Sequence, residues 1–121
     1  MNVICVMLDS LRADHVGAYG KKARTPNMDR LAQESLVFDK AYSGSFPTLP
    51  CRRDLMTGRW GHPFNTWDEL ERDLPTMAES FRRAGHTTGL IFDTPMYMTQ
   101  GNYLDRGFGS IEWIRGQGGE P

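Results

Sequence analysis

The segment that most constrains the fold is the first. Val3-Ile4-Cys5-Val6-Met7-Leu8 is an uninterrupted apolar run, rich in β-branched side chains and ended by Asp9. A strand covered on one face alternates apolar and polar residues, whereas a strand covered on both faces reads as a continuous run. The pattern therefore predicts a central parallel strand and puts Asp9 at its carboxyl end. Ligands of open α/β sheets bind beyond the carboxyl ends of the strands, so Asp9 is a candidate functional residue. The other reading of Asp9 is an acid that only accepts hydrogen bonds from the following turn.

Further along, Thr25-Pro26 resembles a cap followed by proline at the first helical position, and predicts a helix from Pro26 to about Glu34. Met28, Leu31 and Ala32 fall on one face of it, a packing stripe. Leu36-Val37-Phe38 reads as a short second strand, and residues 41–47 as a loop broken by Gly44 and Pro47. Thr48-Leu49-Pro50 opens a helix through about Met56, with Thr48 as the natural N-cap and Gly58 as the stop. Residues 61–73 read as an irregular, exposed segment packed by its own aromatic side chains. Thr76-Met77-Ala78-Glu79 has the capping-box spacing, which predicts a helix over Met77–Ala84 with Gly85 as its C-cap. Thr88–Phe92 reads as a third strand and ends in Asp93; beyond Met96 only Ile111–Ile114 has a strand pattern. Strands alternating with helices give an α/β fold, a mostly parallel sheet flanked by helices.

Composition narrows the function classes. Fourteen basic residues against 15 acidic ones leave a net charge of −1, so no field of one sign indicates nucleic acid or an anionic membrane as a partner. Two Cys with no Cys or His ligand spacing make neither a disulfide framework nor a structural zinc site, and the expectation is two free, buried thiols. His15, His62 and His86 show no ligand spacing and read as surface or loop residues. There is no signal-peptide pattern and no stretch of transmembrane length, which points to a cytoplasmic protein. Thirteen Gly and seven Pro, 20 of 121 residues, mean many turns for a domain of this size.

Three residues converge on one chemistry. A carboxylate at a strand end (Asp9), a hydroxyl at a helix start (Thr48) and an arginine one turn on (Arg52) could face one pocket for a phosphate-like oxyanion. A helix N-terminus presents free N–H groups and a positive dipole end, which favour an oxyanion. Arg52 adds a bidentate grip on a tetrahedral anion from the same helix face. Asp9 supplies oxygen to a hard cation, and metal coordination makes an alkoxide accessible, as it lowers bound water from a pKa of about 15.7 to about 7. Thr48 as a plain cap and Arg52 as a solvated charge beside Arg53 are the alternatives. Cys51, also in the first turn, is a second-ranked nucleophile candidate.

The residues also resemble a known family. Asn2-Val3-Ile4 leading to Asp9, Leu11-Arg12-Ala13-Asp14, Gly17-Ala18-Tyr19-Gly20 and Thr25-Pro26-Asn27-Met28-Asp29-Arg30-Leu31-Ala32 look like the amino-terminal portion of sulfatases, in the alkaline phosphatase superfamily. The likeness continues through Phe38, Ala41-Tyr42, Pro50, Arg52, Leu55, Thr57-Gly58-Arg59, Leu74-Pro75-Thr76, Ala78-Glu79 and Ala84-Gly85-His86, most of residues 2–92. It implies that residues 1–121 form the N-terminal part of a longer catalytic domain. It further implies hydrolysis of a small-molecule sulfate or phosphate ester with a divalent metal (Ca, Mg, Mn or Zn), Thr48 and Arg52 as catalytic residues, and Asp9 and Thr48 as metal ligands.

Three departures qualify the resemblance. Sulfatases carry Cys or Ser two residues before the motif proline, where it is oxidised to formylglycine; Thr48 stands there and cannot yield that aldehyde. Cys51 is no substitute, because that alignment needs Arg where Leu55 stands. Related phosphodiesterases use an unmodified Thr, so Thr48 leans the chemistry toward phosphoryl esters. Ser10 replaces the family's second early acid, and Asp93-Thr94-Pro95 replaces a Lys-x-His pair. The remaining metal ligands of the superfamily lie well beyond residue 121. The rival expectations are a non-catalytic chain that keeps the fold, and a haloacid-dehalogenase-like phosphatase, which needs a second Asp where Leu11 stands.

Overall fold

A computed structural model describes residues 1–20, 22–61, 63, 67–98 and 101–116. His62 and the Gly-rich end at 117–121 lie outside the described residues. The chain divides into two compact units, Met1–Tyr42 and Ser43–Pro121.

The first unit holds a 3-10 turn at Ala13–His15 and helix α1, Pro26–Gln33. Proline sits in the first turn of α1 as the sequence predicts. The Thr25 side chain makes no cap bond within the helix; its hydroxyl donates to Asp29 Oδ1 at 2.8 Å and accepts from the Gly17 N–H at 2.7 Å. The Gly17 and Thr25–Asp29 motifs are thus one hydrogen-bonded corner. A Cβ on Gly17 would stand 2.3 Å from Asp29 Oδ2, so a side chain there would push that carboxylate out of the corner. Arg12, Lys22 and His15 all reach the Asp14 carboxylate. They hold its carboxyl well below the usual carboxylate range, Arg12 foremost. The pairs are open to solvent and add little stability.

Two strand expectations in this unit are overturned. Residues 1–8 form neither strand nor helix, and Val3, Ile4 and Val6 are 61%, 87% and 74% exposed. Leu36–Phe38 is likewise irregular and exposed. An apolar run specifies which faces a strand can bury, but a strand also needs a neighbour for its N–H and C=O groups. Among the described residues none pairs with either run. Cys5 is consequently exposed and Cys51 half-buried; both are free thiols, but neither is the buried one expected. The Met28, Leu31 and Ala32 stripe buries little for the same reason, with Leu31 65% exposed.

The second unit carries helix α2 (Thr48–Thr57), helix α3 (Met77–Arg83), strand β1 (Gly89–Phe92), the single-turn helix α4 (Pro95–Met98) and strand β2 (Ser110–Trp113). The two strands pair in parallel, Gly89 opposite Ser110 and Phe92 opposite Trp113. Both match the sequence pattern to within a residue, as does α3. Helix α4 has no period long enough to be read from sequence, and Pro95 at its start is its one local sign. A parallel pair needs a crossover, which here runs through residues 93–109 and contains α4. The architecture is α/β.

The core of this unit is Leu49 and Met56 of α2, Leu70 and Leu74 of the following segment, Met98 of α4 and Leu104. Residues 67–73 are irregular as expected, although Leu70 is 2% exposed and belongs to the core. Arg106 joins the segment to α3: its guanidinium donates to the Glu71 and Arg72 carbonyls at 3.2 and 3.3 Å and to that of Leu74. Its Nε lies 3.2 Å from Glu79 Oε1, near enough for attraction but not aligned for a hydrogen bond.

Both halves of the capping box form. Thr76, fully buried, accepts from the Glu79 N–H at 3.1 Å, and Glu79 accepts from the Thr76 N–H at 2.8 Å. The second bond, then the charges of Arg106 and Arg83, lower the Glu79 pKa below its ordinary value against the opposing effect of burial. A depressed folded pKa stabilises above the unfolded value, about 4.3, and that contribution is lost as pH falls through the folded one. Thermal stability is expected to fall more steeply between about pH 5 and 3 for the native chain than for Glu79→Gln, whose amide keeps the box without titrating.

Gly107 shows where the backbone admits no side chain. Its φ is +93°, and a Cβ would lie 2.5 Å from the Glu79 backbone nitrogen. Gly107→Ala is expected to cost about 1–3 kcal/mol, read as a lower urea midpoint.

Candidate active site

Helix α2 begins one residue earlier than the N-cap assignment requires. Thr48 is its first helical residue, Pro47 is the cap, and no side chain caps the helix. The reason is local. A capping Thr48 would take the N–H of Pro50 or Cys51; proline has none, and the Cys51 N–H already donates to the Pro47 carbonyl at 3.1 Å. The Thr48 hydroxyl is therefore not engaged as a cap. It stands half-buried at the positive end of the helix, where the Thr48 and Leu49 N–H groups have no intrahelical acceptor.

Arg52 follows one turn later and is 6% exposed. Its Nη1 donates to Thr94 Oγ1 at 3.3 Å, and its guanidinium lies over the Tyr97 ring, 5.2 Å from the centroid. The solvated-charge alternative is excluded by this burial. Neighbouring Arg53 is buried too, against the Glu71 carboxylate. Cys51 accepts from the Ser43 hydroxyl at 3.3 Å.

At the end of the helix Gly58 adopts the left-handed conformation, φ 66°, and its N–H donates to the Asp54 carbonyl at 2.8 Å. The Thr57 hydroxyl turns back to the Arg53 carbonyl at 2.8 Å. The Thr57-Gly58-Arg59 motif thus forms the helix stop.

Asp9 belongs to the other unit. It is exposed at a turn where Ser10, with φ 58°, donates its hydroxyl to Asp9 Oδ1 at 3.0 Å. Among the described residues no three His, Cys, Asp or Glu side chains gather to hold a metal ion. The two oxygen ligands expected from the resemblance are fewer than the four to eight usual for zinc, magnesium or calcium. The residues present do not by themselves fit a cation. His15 and His86 are exposed, in agreement with their reading as surface residues.

Thr94 stands out in the sequence only as part of the segment that replaces the Lys-x-His pair, and Tyr97 belongs to no motif. Their signal is position: they follow β1, at the carboxyl end of a parallel strand.

An α/β chain with a non-capping hydroxyl at a helix start and a buried arginine one turn on belongs to a recognisable class. The chain is a member of the sulfatase family, whose model matches residues 1–119. It is 32% identical over 99 residues to an N-acetylgalactosamine-6-O-sulfatase of Bacteroides thetaiotaomicron, covering 74% of this chain and 19% of that protein. It is 33% identical to human iduronate 2-sulfatase over 95 residues, 73% of this chain and 17% of the relative. Against the rat N-acetylgalactosamine-6-sulfatase it is 37% identical over 107 residues, 74% and 20% of the two chains. The chain thus spans about a fifth of the length of the curated relatives it matches. No solved structure matches it. Among the described residues no helix is long and apolar enough to cross a membrane.

Proposed function

We propose that residues 1–121 are the N-terminal part of a catalytic domain that hydrolyses sulfate or phosphate esters of small molecules, with Thr48 as nucleophile. The observation that supports this reading most directly is the Thr48 hydroxyl itself: it occupies the family's formylglycine position, at a helix start, without serving as a cap. The relatives bear the names of sulfatases of N-acetylgalactosamine and iduronate, so an anionic ester of a sugar is the substrate class we assign.

In this reading the first-turn N–H groups and Arg52 attract the ester's oxyanions. Thr48 Oγ1 bonds to sulfur or phosphorus, the bond to the alcohol breaks, and the threonine proton leaves on the departing alcohol. Water then attacks the central atom, freeing inorganic sulfate or the phosphate product and restoring the hydroxyl. An unmodified threonine favours phosphoryl over sulfuryl transfer, because a threonine sulfate has no geminal hydroxyl through which to expel the sulfate. Asp9 and Thr48 would contribute two oxygens to a divalent metal. The others would come from the longer parent protein, and no step here runs through the ion.

The test is turnover of an aryl sulfate and an aryl phosphodiester by the full-length protein, with and without added manganese, zinc, magnesium or calcium. Hydrolysis of either ester is expected, the phosphodiester faster. Absence of both turnover and metal binding would leave a non-catalytic chain that keeps the fold.

A further inference from the structure

We propose that Thr94 and Tyr97 are positioning residues that aim Arg52 at the ester. This deepens the reading of Thr48 and Arg52 above and rests on it. A guanidinium taken out of water needs acceptors and a polarisable neighbour. Arg52 finds both across the fold: the Thr94 hydroxyl at 3.3 Å, itself 7% exposed, and the face of Tyr97 at 5.2 Å.

The two groups stand on one small, braced element. The Thr94 carbonyl accepts from the Tyr97 N–H at 3.1 Å, closing the turn that becomes α4, and the Asn102 side chain donates to the Met96 carbonyl at 2.8 Å. Met98, from the same turn, is anchored in the core, 5% exposed. Tyr97 packs against that core and is flanked by Trp67, ring centroids 6.0 Å apart.

Arg52 is thereby clamped between α2, which carries Thr48, and the carboxyl end of β1. Helical rise separates the two α2 residues by about 6 Å along the axis, so fixing the arginine relative to the sheet also fixes it relative to the nucleophile. The family's Lys-x-His pair falls at this place, and here Asp93-Thr94-Pro95 replaces it.

The experiment is a set of variants in the full-length protein, assayed for kcat and KM on both esters and for binding of inorganic sulfate and phosphate by calorimetry. Thr94→Val and Tyr97→Leu are each expected to lower kcat/KM by about ten- to a hundredfold. Thr94→Ser keeps the acceptor and Tyr97→Phe keeps the ring face, so each restores most of the loss. In an Arg52→Ala background Thr94→Val is expected to add nothing, because it acts only through that arginine.

A loss that persists undiminished in the Arg52→Ala background, or a silent Thr94→Val, overturns the proposal. Thr48→Ala separates the two levels: if it is inactive while Thr94→Val is silent, only the positioning role falls; if it remains active, the nucleophile reading falls. Should the native protein turn over neither ester, sulfate and phosphate binding decides. Weakening by Thr94→Val and Tyr97→Leu upholds the positioning role, and unchanged or absent binding sinks it.

Discussion

Thr48→Ala in the full-length protein is expected to abolish turnover of sulfate and phosphate esters while leaving the fold intact. Loss of a nucleophile costs on the order of 10⁶-fold where a hydrolase depends on it. The structural price is small, because Thr48 caps nothing, is half-buried, and is replaced by the residue that most favours a helix. Thr48→Ser keeps a hydroxyl in the same place and should retain activity. The measurement is steady-state turnover of both ester classes alongside a thermal unfolding curve. Substantial residual activity of Thr48→Ala toward both would remove Thr48 from its assigned role, whereas an unfolded variant would show in the melting curve instead.

The second large effect concerns stability. Leu104 is 1% exposed and packs with Leu49 and Met56 of α2, with Leu70 and Leu74, and with Met98 of α4. It belongs to no helix or strand, yet it plugs the space between the elements that carry Arg52 and Thr94. Leu104→Ala removes buried methyl groups and leaves a cavity, at a cost of about 2–5 kcal/mol. A domain is stable by only about 5–15 kcal/mol, so much of the margin goes. Urea denaturation should show a lower midpoint at an unchanged slope, because the surface exposed on unfolding barely alters. A change under about 1 kcal/mol would mean that the segment around Leu104 repacks freely.

Legibility in the sequence follows the range of the interaction. Helix α3 is readable because both halves of its capping box lie within four residues, Thr76 to Glu79. Helix α1 and the stop at Gly58 are readable for the same reason, a proline in a first turn and a glycine in the left-handed region. Strands β1 and β2 have apolar patterns of their own, and each finds its partner in the other. Val3–Leu8 has the strongest strand pattern of all and yet forms no strand, since its ladder depends on residues elsewhere in a chain. The N-cap at Thr48 is misjudged by one residue because Pro50 and the Pro47 carbonyl decide jointly which N–H is available.

The sequence alone determined the family, the α/β class, the helix that carries the candidate nucleophile and the departures at Thr48, Ser10 and Asp93-Thr94-Pro95. Each is a matter of residue type at short spacing. Only the tertiary structure decided that the Thr48 hydroxyl caps nothing, that Arg52 is buried, and that its partners include Thr94 and Tyr97. Those partners lie more than forty residues away in sequence, and a hydrogen bond across such a distance exists only once the core around Leu104 has brought α2 and the end of β1 together.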